Sequence, residues 1–75
     1  MKIGVIGAGS WGAALSQVLA GNGSDVVLWH HRKDAAITLQ SSRQHVNLPA
    51  SPLINSIKIT SELSDLPKDA PILIT

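Results

Sequence analysis

Three glycines near the start of the chain are the residues whose spacing best suits chemistry. Gly7, Gly9 and Gly12 stand in the pattern G-x-G-x-x-G. Between a strand and a helix, this pattern forms a turn that binds phosphate groups. The first glycine makes the bend out of the strand, the second lets a pyrophosphate approach the backbone, and the third lets the helix lie close to the strand. The unpaired N–H groups and the positive dipole end of the helix then face the anion.

The spacing alone is weak evidence, because six glycines in 75 residues can fall into it by chance. Its context is therefore decisive. Residues 2 to 6 contain the β-branched Ile3, Val5 and Ile6 and are nearly continuous in apolar character, which predicts a central strand covered on both faces. Residues Ser10 to about Asn22 then predict a helix. We expect its buried stripe to consist of the apolar residues spaced at three and four positions, Trp11, Ala14, Leu15, Val18 and Leu19.

The next segments supply further elements. Gly21 to Gly23 predict that the helix ends at a residue in the left-handed backbone conformation, and Val26 to Trp29 predict a second strand. Asp34 is then expected to be the N-cap of a helix from Ala35 to about Gln44, with Ala36, Ile37, Leu39 and Gln40 facing inward. We read residues 45 to 56, which contain two prolines, as an ordered loop.

Two short strands complete the chain. The alternation from Ile57 to Ser61 predicts an edge strand, residues 61 to 66 predict one helical turn that Pro67 ends, and Pro71 to Thr75 predict a buried strand. Right-handed crossovers then give the strand order 57–61, 26–30, 2–6, 71–75. This is an α/β fold, a partial Rossmann fold with half of a doubly wound parallel sheet. Ligands in such sheets bind outside the carboxyl ends of the strands where the order reverses, which is where the glycine turn lies.

The residues after the second strand indicate which dinucleotide would bind. NAD sites place an Asp or Glu about 20 residues beyond the glycines, whereas NADP sites place an Arg nearby for the 2′-phosphate. Here those positions hold His30, His31 and Arg32, followed by Lys33. The planar guanidinium of an arginine can donate two parallel hydrogen bonds to a phosphate. We therefore predict NADP, with NAD as the alternative; the other interpretation is that this basic run is only a solvated loop.

Other residues near the turn have two interpretations. Ser10 could contact phosphate or simply cap the helix. Trp11 could form a wall of the cofactor crevice, but packing is the favoured interpretation. Trp29 is predicted to be core, and His45 to have no function. No catalytic acid, base or nucleophile can be nominated.

Composition excludes several classes of function. The chain has no cysteine, and its three histidines lack spaced partners, so we expect no metal site. The net charge is +1, the basic residues are scattered and there is no Tyr or Phe, which argues against a nucleic-acid partner. The apolar run at the start is broken by glycines and too short to insert into a membrane. We expect a cytoplasmic protein.

Several segments together resemble the N-terminal part of the bacterial NAD(P)H-dependent glycerol-3-phosphate dehydrogenases. The resemblance lies in Met1 to Leu15, in Val27-Leu-Trp29 followed by a basic residue, in Asn47-Leu-Pro49 and in Ile59-Thr-Ser-Glu-Leu63. The hexapeptide Gly-Ala-Gly-Ser-Trp-Gly is more specific than the glycines alone. The resemblance implies that Ser10, Trp11, His31 and Arg32 contact NADPH. It also implies reversible hydride transfer between dihydroxyacetone phosphate and sn-glycerol 3-phosphate, for phospholipid synthesis.

The same resemblance implies that residues 1–75 are only the N-terminal part of a dinucleotide-binding domain. The substrate-binding C-terminal domain would lie beyond Thr75, so we expect no turnover from this chain alone. Two alternatives remain at this point. The chain could be a non-catalytic nucleotide-binding module, or an inactive fragment that self-associates through Ile72-Leu-Ile74, a strand that would be left at an edge.

Overall fold

A computed structural model of the protein describes residues 2–43 and 53–75. Within these residues, the chain forms four strands, two α-helices and one short 3-10 turn at Leu63–Asp65. In chain order the strands and helices are β1 (Lys2–Ile6), α1 (Ser10–Gly21), β2 (Asp25–Trp29), α2 (Lys33–Ser42), β3 (Lys58–Thr60) and β4 (Ile72–Ile74). The strands form one parallel sheet in the order β3-β2-β1-β4. The predicted α/β class and strand order are confirmed.

The strand register brings three strand ends to one edge of the sheet. Ile6 at the end of β1 lies opposite Trp29 in β2 and Ile74 in β4. The backbone continues this pairing, because Gly7 N–H donates to the carbonyl of Trp29 at 3.1 Å and Thr75 N–H donates to the carbonyl of Ile6 at 2.9 Å. The glycine turn and the residues after β2 and β4 therefore meet at this edge.

One face of the sheet forms the hydrophobic core. Side chains alternate between the faces of a strand, so the paired residues Ile3 and Val26, and Val5 and Leu28, share a face. All four are buried, and they pack in one cluster with Ile59 of β3, Ala13 of α1 and both Ala36 and Leu39 of α2. Both helices therefore contribute to the core on this face.

The buried face of α1 differs from the predicted apolar stripe. Trp11 is 69% exposed and Val18 is 60% exposed, whereas Gly12, Ala13 and Ser16 are buried. Leu19 of the predicted stripe is partly buried and packs against the core, so the prediction is only partly wrong. The Ser16 hydroxyl can be buried because it donates to the carbonyl of Gly12, one turn earlier, at 2.8 Å.

The start of α2 also differs from the prediction. The helix begins at Lys33 with Arg32 at the N-cap position, so Asp34 lies inside the first turn and is not the cap. Ala36 and Leu39 are buried as predicted, but Ile37 is 58% exposed. The side chain of Gln40 is largely exposed, yet its Oε1 accepts the N–H of Ile59 at 3.0 Å and so connects α2 to β3. Gln44, the predicted end, lies outside the described residues.

The ends of the other elements follow simple hydrogen-bonding rules. Asn22 caps α1, and Gly23 follows with a φ of 92°. The N–H groups of Gly23 and Ser24 donate to the carbonyls of Ala20 and Leu19, which is a Schellman motif and confirms the predicted helix end.

Neither described helix is long and apolar enough to cross a bilayer.

Burial of the outer strands is only partly as expected. β3 is an edge strand, as predicted. β4 was predicted to be buried, but all three of its residues are exposed and Ile74 is 79% exposed, because no described element covers it. Trp29 is half-buried rather than fully in the core, and its indole N–H donates to the carbonyl of Ser61 at 3.0 Å. Most of the predicted 45–56 loop, residues 45 to 52, lies outside the described residues.

Arg43 connects the end of α2 to the segment before β3. It has a φ of 58°, and its guanidinium donates to the carbonyls of Ile54 and Ile57, the latter at 2.8 Å, and to Oε1 of Gln40 at 3.1 Å.

Arg43→Met would leave these acceptors without charged donors, so we expect a loss of roughly 1–3 kcal/mol in the free energy of unfolding. Urea denaturation measures this loss. Arg32→Met, at an exposed ion pair, is the control and should cost less than about 1 kcal/mol; equal midpoints for the two variants would contradict this role for Arg43.

Candidate functional site

The glycine turn that joins β1 to α1 is held in a conformation that requires glycine at two of its three positions. Gly7 has a φ of 109°, in the left-handed region that side chains disfavour, and a Cβ there would lie 2.5 Å from Oγ1 of Thr75. A Cβ on Gly12 would lie 1.8 Å from the carbonyl oxygen of Gly7. Gly12 therefore lets α1 come into contact with the turn, as the spacing predicts.

Gly9 is different, because the protein itself leaves room for a side chain there. Its backbone is extended, with a φ of −72°, and a Cβ built on it would meet no atom within 4 Å. Gly9 is the N-cap of α1, and glycine has no side chain to accept the N–H groups of the first turn. The exposed space beside Gly9 thus lies next to unpaired helix donors, and this arrangement fits the pyrophosphate of a dinucleotide.

Thr75 also belongs to this turn, although sequence reasoning did not select it. Its hydroxyl lies 3.0 Å from the carbonyl oxygen of Gly7 and 3.1 Å from that of Ile6, and it donates a shared hydrogen bond to both. Its Oγ1 also lies 3.1 Å from where a Cβ of Gly12 would stand. Thr75 therefore packs beneath the turn from the end of β4. Only its position at the end of a strand beside the switch point could have indicated this role.

The basic residues that follow β2 lie at the same edge of the sheet. His30 donates its N–H to the carbonyl of Thr60 at 2.8 Å, and its Nδ1 accepts the N–H of Arg32 at 3.0 Å. The rings of His30 and His31 stack with their centroids 5.0 Å apart. His31 and Arg32 are both exposed. This short turn therefore presents an imidazole and a guanidinium to solvent beyond the end of β2.

Arg32 forms an ion pair with Asp34, at 2.9 Å between Nη2 and Oδ2. The hydrogen bond from Arg32, followed by one from the backbone N–H of Ala35, lowers the pKa of the Asp34 carboxyl. Asp34 is therefore negatively charged at neutral pH. The side chain of Arg32 is 62% exposed, so it remains accessible to a ligand while it is paired.

Two further predicted site residues begin α1. Ser10 is its first residue, next to the exposed backbone of Gly9. Trp11 follows with its ring mostly exposed, so the favoured interpretation as a packing residue is wrong within the described structure. The alternative, in which Trp11 forms a wall of the cofactor crevice, stays a prediction.

A separate shallow groove of about 260 Å³ lies between α2 and β3. Lys33, Ile37, Gln40, Thr60 and Glu62 are among the residues that form it, and none of them comes from the glycine turn. In residues 2–43 and 53–75, His and acidic side chains do not gather in groups of three that could hold a metal ion. The glycine turn is therefore the candidate site.

Comparison with known protein families shows to which family this chain belongs. Residues 2–75 match the family described as NAD-dependent glycerol-3-phosphate dehydrogenase N-terminus. The chain belongs to this family. The match covers β1, α1 and the glycine turn as well as all later elements, and it confirms the resemblance found in the sequence.

Curated relatives of the chain carry consistent names. It is 42% identical to a glycerol-3-phosphate dehydrogenase [NAD(P)+] from Chlorobium phaeobacteroides (strain BS1), over 100% of this chain and 23% of that protein. The corresponding protein from Bacillus subtilis (strain 168) is 41% identical, over 97% of this chain and 21% of that protein. The chain thus spans less than a quarter of the length of the relatives that it matches.

A solved structure shows the same fold. The crystal structure of glycerol-3-phosphate dehydrogenase from Coxiella burnetii superimposes with a TM-score of 0.86 at 33% sequence identity, over 97% of this chain and 23% of that chain. The partial Rossmann fold of this chain is therefore the fold of the corresponding segment in a dehydrogenase of the family.

The unequal surroundings of the glycines lead to a test by Gly→Ala substitution. Gly9→Ala should cost less than about 1 kcal/mol of stability, because its Cβ meets nothing and only the N-cap preference for glycine over alanine is lost, but it should weaken dinucleotide binding at least roughly tenfold by filling the space beside the helix donors. Gly12→Ala should destabilise the fold by more than about 3 kcal/mol, because its Cβ would overlap a carbonyl oxygen. Thermal unfolding and fluorescence titration measure the two effects.

Gly21→Ala is the matched control for this pair of variants. Its Cβ would make only an ordinary contact with Ile54, at 3.9 Å, at the far end of α1. We expect unchanged binding and a gain of about 0.5–1 kcal/mol in stability. Binding by Gly9→Ala at the affinity of the Gly21→Ala variant would show that the space beside Gly9 is not the phosphate site.

Proposed function

We propose that residues 1–75 are the N-terminal part of the dinucleotide-binding domain of an NAD(P)-dependent glycerol-3-phosphate dehydrogenase. The observation that carries the proposal is the open, extended backbone at Gly9, beside the first turn of α1, in a chain that belongs to this family. The whole protein would transfer hydride between NAD(P)H and dihydroxyacetone phosphate or sn-glycerol 3-phosphate, as its relatives' names and the sequence resemblance suggest. It would do so in the cytoplasm, to supply phospholipid precursors.

In the proposed site, two segments of the chain bind different parts of the dinucleotide. Gly7, Gly9 and Gly12 shape the turn that receives the pyrophosphate, with Ser10 and Trp11 beside it at the start of α1. His31 and Arg32 lie beyond the adjacent strand β2, one strand away from the turn, where the adenosine end would extend. The nicotinamide, when bound, supplies the hydride. The residues of this chain bind and orient the cofactor, and none of them is assigned a step in the chemistry.

Arg32 is the basis for proposing NADP as the preferred cofactor, with NAD as the alternative. Arg32 is exposed at the N-cap of α2, and a guanidinium suits the 2′-phosphate that distinguishes NADP. His31 adds an exposed imidazole beside it. Positions 30 to 32 hold no carboxylate that could accept the ribose hydroxyls of NAD.

Titration with NADPH and NADH tests the proposal, with the fluorescence of Trp11 and Trp29 as the signal. We expect both dinucleotides to bind and NADPH to bind more tightly. Arg32→Ala should reduce NADPH affinity roughly tenfold, because it removes a charge-assisted phosphate contact, and should change NADH affinity less than twofold. Asn22→Ala, at the opposite end of α1, is the control variant.

Different results of this titration would reject different parts of the proposal. If neither dinucleotide bound, the assignment of the glycine turn as a cofactor site would fall. If NADH bound more tightly, or if Arg32→Ala left the preference unchanged, only the choice of NADP would fall. The chain alone should show no oxidation of NADPH with dihydroxyacetone phosphate, and measurable turnover would contradict its role as a binding segment only.

Self-association is a second property that a specific observation favours. β4 lies at the edge of the sheet with Ile72, Leu73 and Ile74 exposed, so unpaired backbone and apolar side chains are presented together. We propose that isolated copies of this chain associate through β4.

Light scattering measures this association. Ile74→Lys should shift the chain towards monomer, because a charged side chain on an edge strand opposes pairing. Ile37→Lys is the matched control, since it changes a similarly exposed isoleucine on α2, and it should leave the oligomer intact. A monomeric wild-type chain at high concentration would contradict the proposal.

A further inference from the structure

Asp34 is placed to influence how Arg32 is used. The carboxylate is two residues beyond Arg32, and Nη2 of Arg32 lies 2.9 Å from Oδ2 of Asp34. Both side chains are exposed, at 62% for Arg32 and 75% for Asp34. The guanidinium that is proposed to receive the 2′-phosphate of NADP therefore already has an anionic partner in the protein.

The helix holds this partner in place. Asp34 lies in the first turn of α2, where the positive end of the helix favours a negative side chain. The hydrogen bond from Arg32 is the main cause that lowers the pKa of the Asp34 carboxyl, and a hydrogen bond from the backbone N–H of Ala35 is the second. The Thr38 hydroxyl donates to the backbone carbonyl of Asp34 at 3.0 Å. The backbone of Asp34 is thus part of a regular helical turn, and its exposed carboxylate stays within reach of Arg32, two residues away.

We propose that Asp34 is a specificity-determining residue that disfavours the 2′-phosphorylated dinucleotide. This inference rests on the proposed function, because it needs a dinucleotide whose 2′ position faces Arg32. A 2′-phosphate must take Nη2 of Arg32 away from Asp34 or share it, and the phosphate then lies beside a carboxylate. An exposed ion pair is easily displaced, but the two anions repel each other at short range. A 2′-hydroxyl carries no charge and avoids this repulsion.

The consequence is a balance between two opposed neighbours. Arg32 favours NADP and Asp34 reduces that preference, so NADPH would bind more tightly than NADH by a smaller margin than Arg32 alone would give. Asp34 acts on the charge of the cofactor and touches no reacting atom. It is therefore a specificity residue and not a catalytic one.

Asp34→Asn tests the inference, because it removes the charge and keeps the size of the side chain. We expect NADPH to bind about five- to tenfold more tightly and NADH to change by less than twofold, as measured by tryptophan fluorescence at low ionic strength. The gain should shrink in high salt, because exposed charges are screened. Asp34→Glu retains the charge and should stay close to the wild type.

Asp25→Asn is the control for net charge. Asp25 is also exposed, but it is the first residue of β2 and lies at the amino ends of the strands, whereas the glycine turn lies at their carboxyl ends. It should change the affinity of neither dinucleotide by more than twofold. Circular dichroism checks that each variant is folded.

Two results would overturn the inference. One is an NADPH to NADH preference in Asp34→Asn that stays within twofold of the wild type while both dinucleotides bind. The other is a loss of NADH affinity with unchanged NADPH affinity, which would instead assign Asp34 to a ribose hydroxyl. Failure of the proposed function looks different, because the wild-type chain would then bind neither dinucleotide.

Discussion

The close approach of α1 to the end of β1 is the constraint on which the rest of the structure depends. No side chain fits between Gly12 and the carbonyl oxygen of Gly7, where a Cβ would stand only 1.8 Å away. This contact fixes the direction in which α1 leaves the turn, and Ala13 and Ser16 lie on the buried side of the helix. The first turn of α1 therefore lies where β1 ends, beside the open backbone of Gly9, and the candidate anion site results from the same packing.

The charged end of the site depends on the strand next to this turn. β2 pairs with β1 through its whole length, and the hydrogen bond from Gly7 to Trp29 extends that pairing to the turn itself. The end of β2 is in turn held by β3, because Trp29 and His30 hydrogen-bond to Ser61 and Thr60. The residues that follow, including Arg32, thus emerge at a fixed position relative to the glycines, even though they are themselves exposed.

The fold could be predicted from the sequence largely because parallel strands obey strong rules. The right-handed crossover gave the strand order correctly, and the glycine spacing located the turn. The buried side of α1 could be predicted only in part from its large apolar residues, because Leu19 packs against the core whereas Trp11 and Val18 are exposed. Asp34 was assigned as a cap although the helix begins before it, and helix starts are uncertain by a residue or two in any pattern. Burial of β4 depends on elements that would cover it, which a local pattern does not reveal.

Thr75 illustrates a different consequence of this architecture. Its hydrogen bond to the carbonyl of Gly7 joins residues 68 positions apart, so the glycine turn is supported by the residue that follows β4. Closing a loop of this length costs chain entropy, and contacts of large sequence separation slow folding. During synthesis, the glycine turn would leave the ribosome well before the residue that supports it. The candidate site would therefore be complete only once β4 has paired with β1.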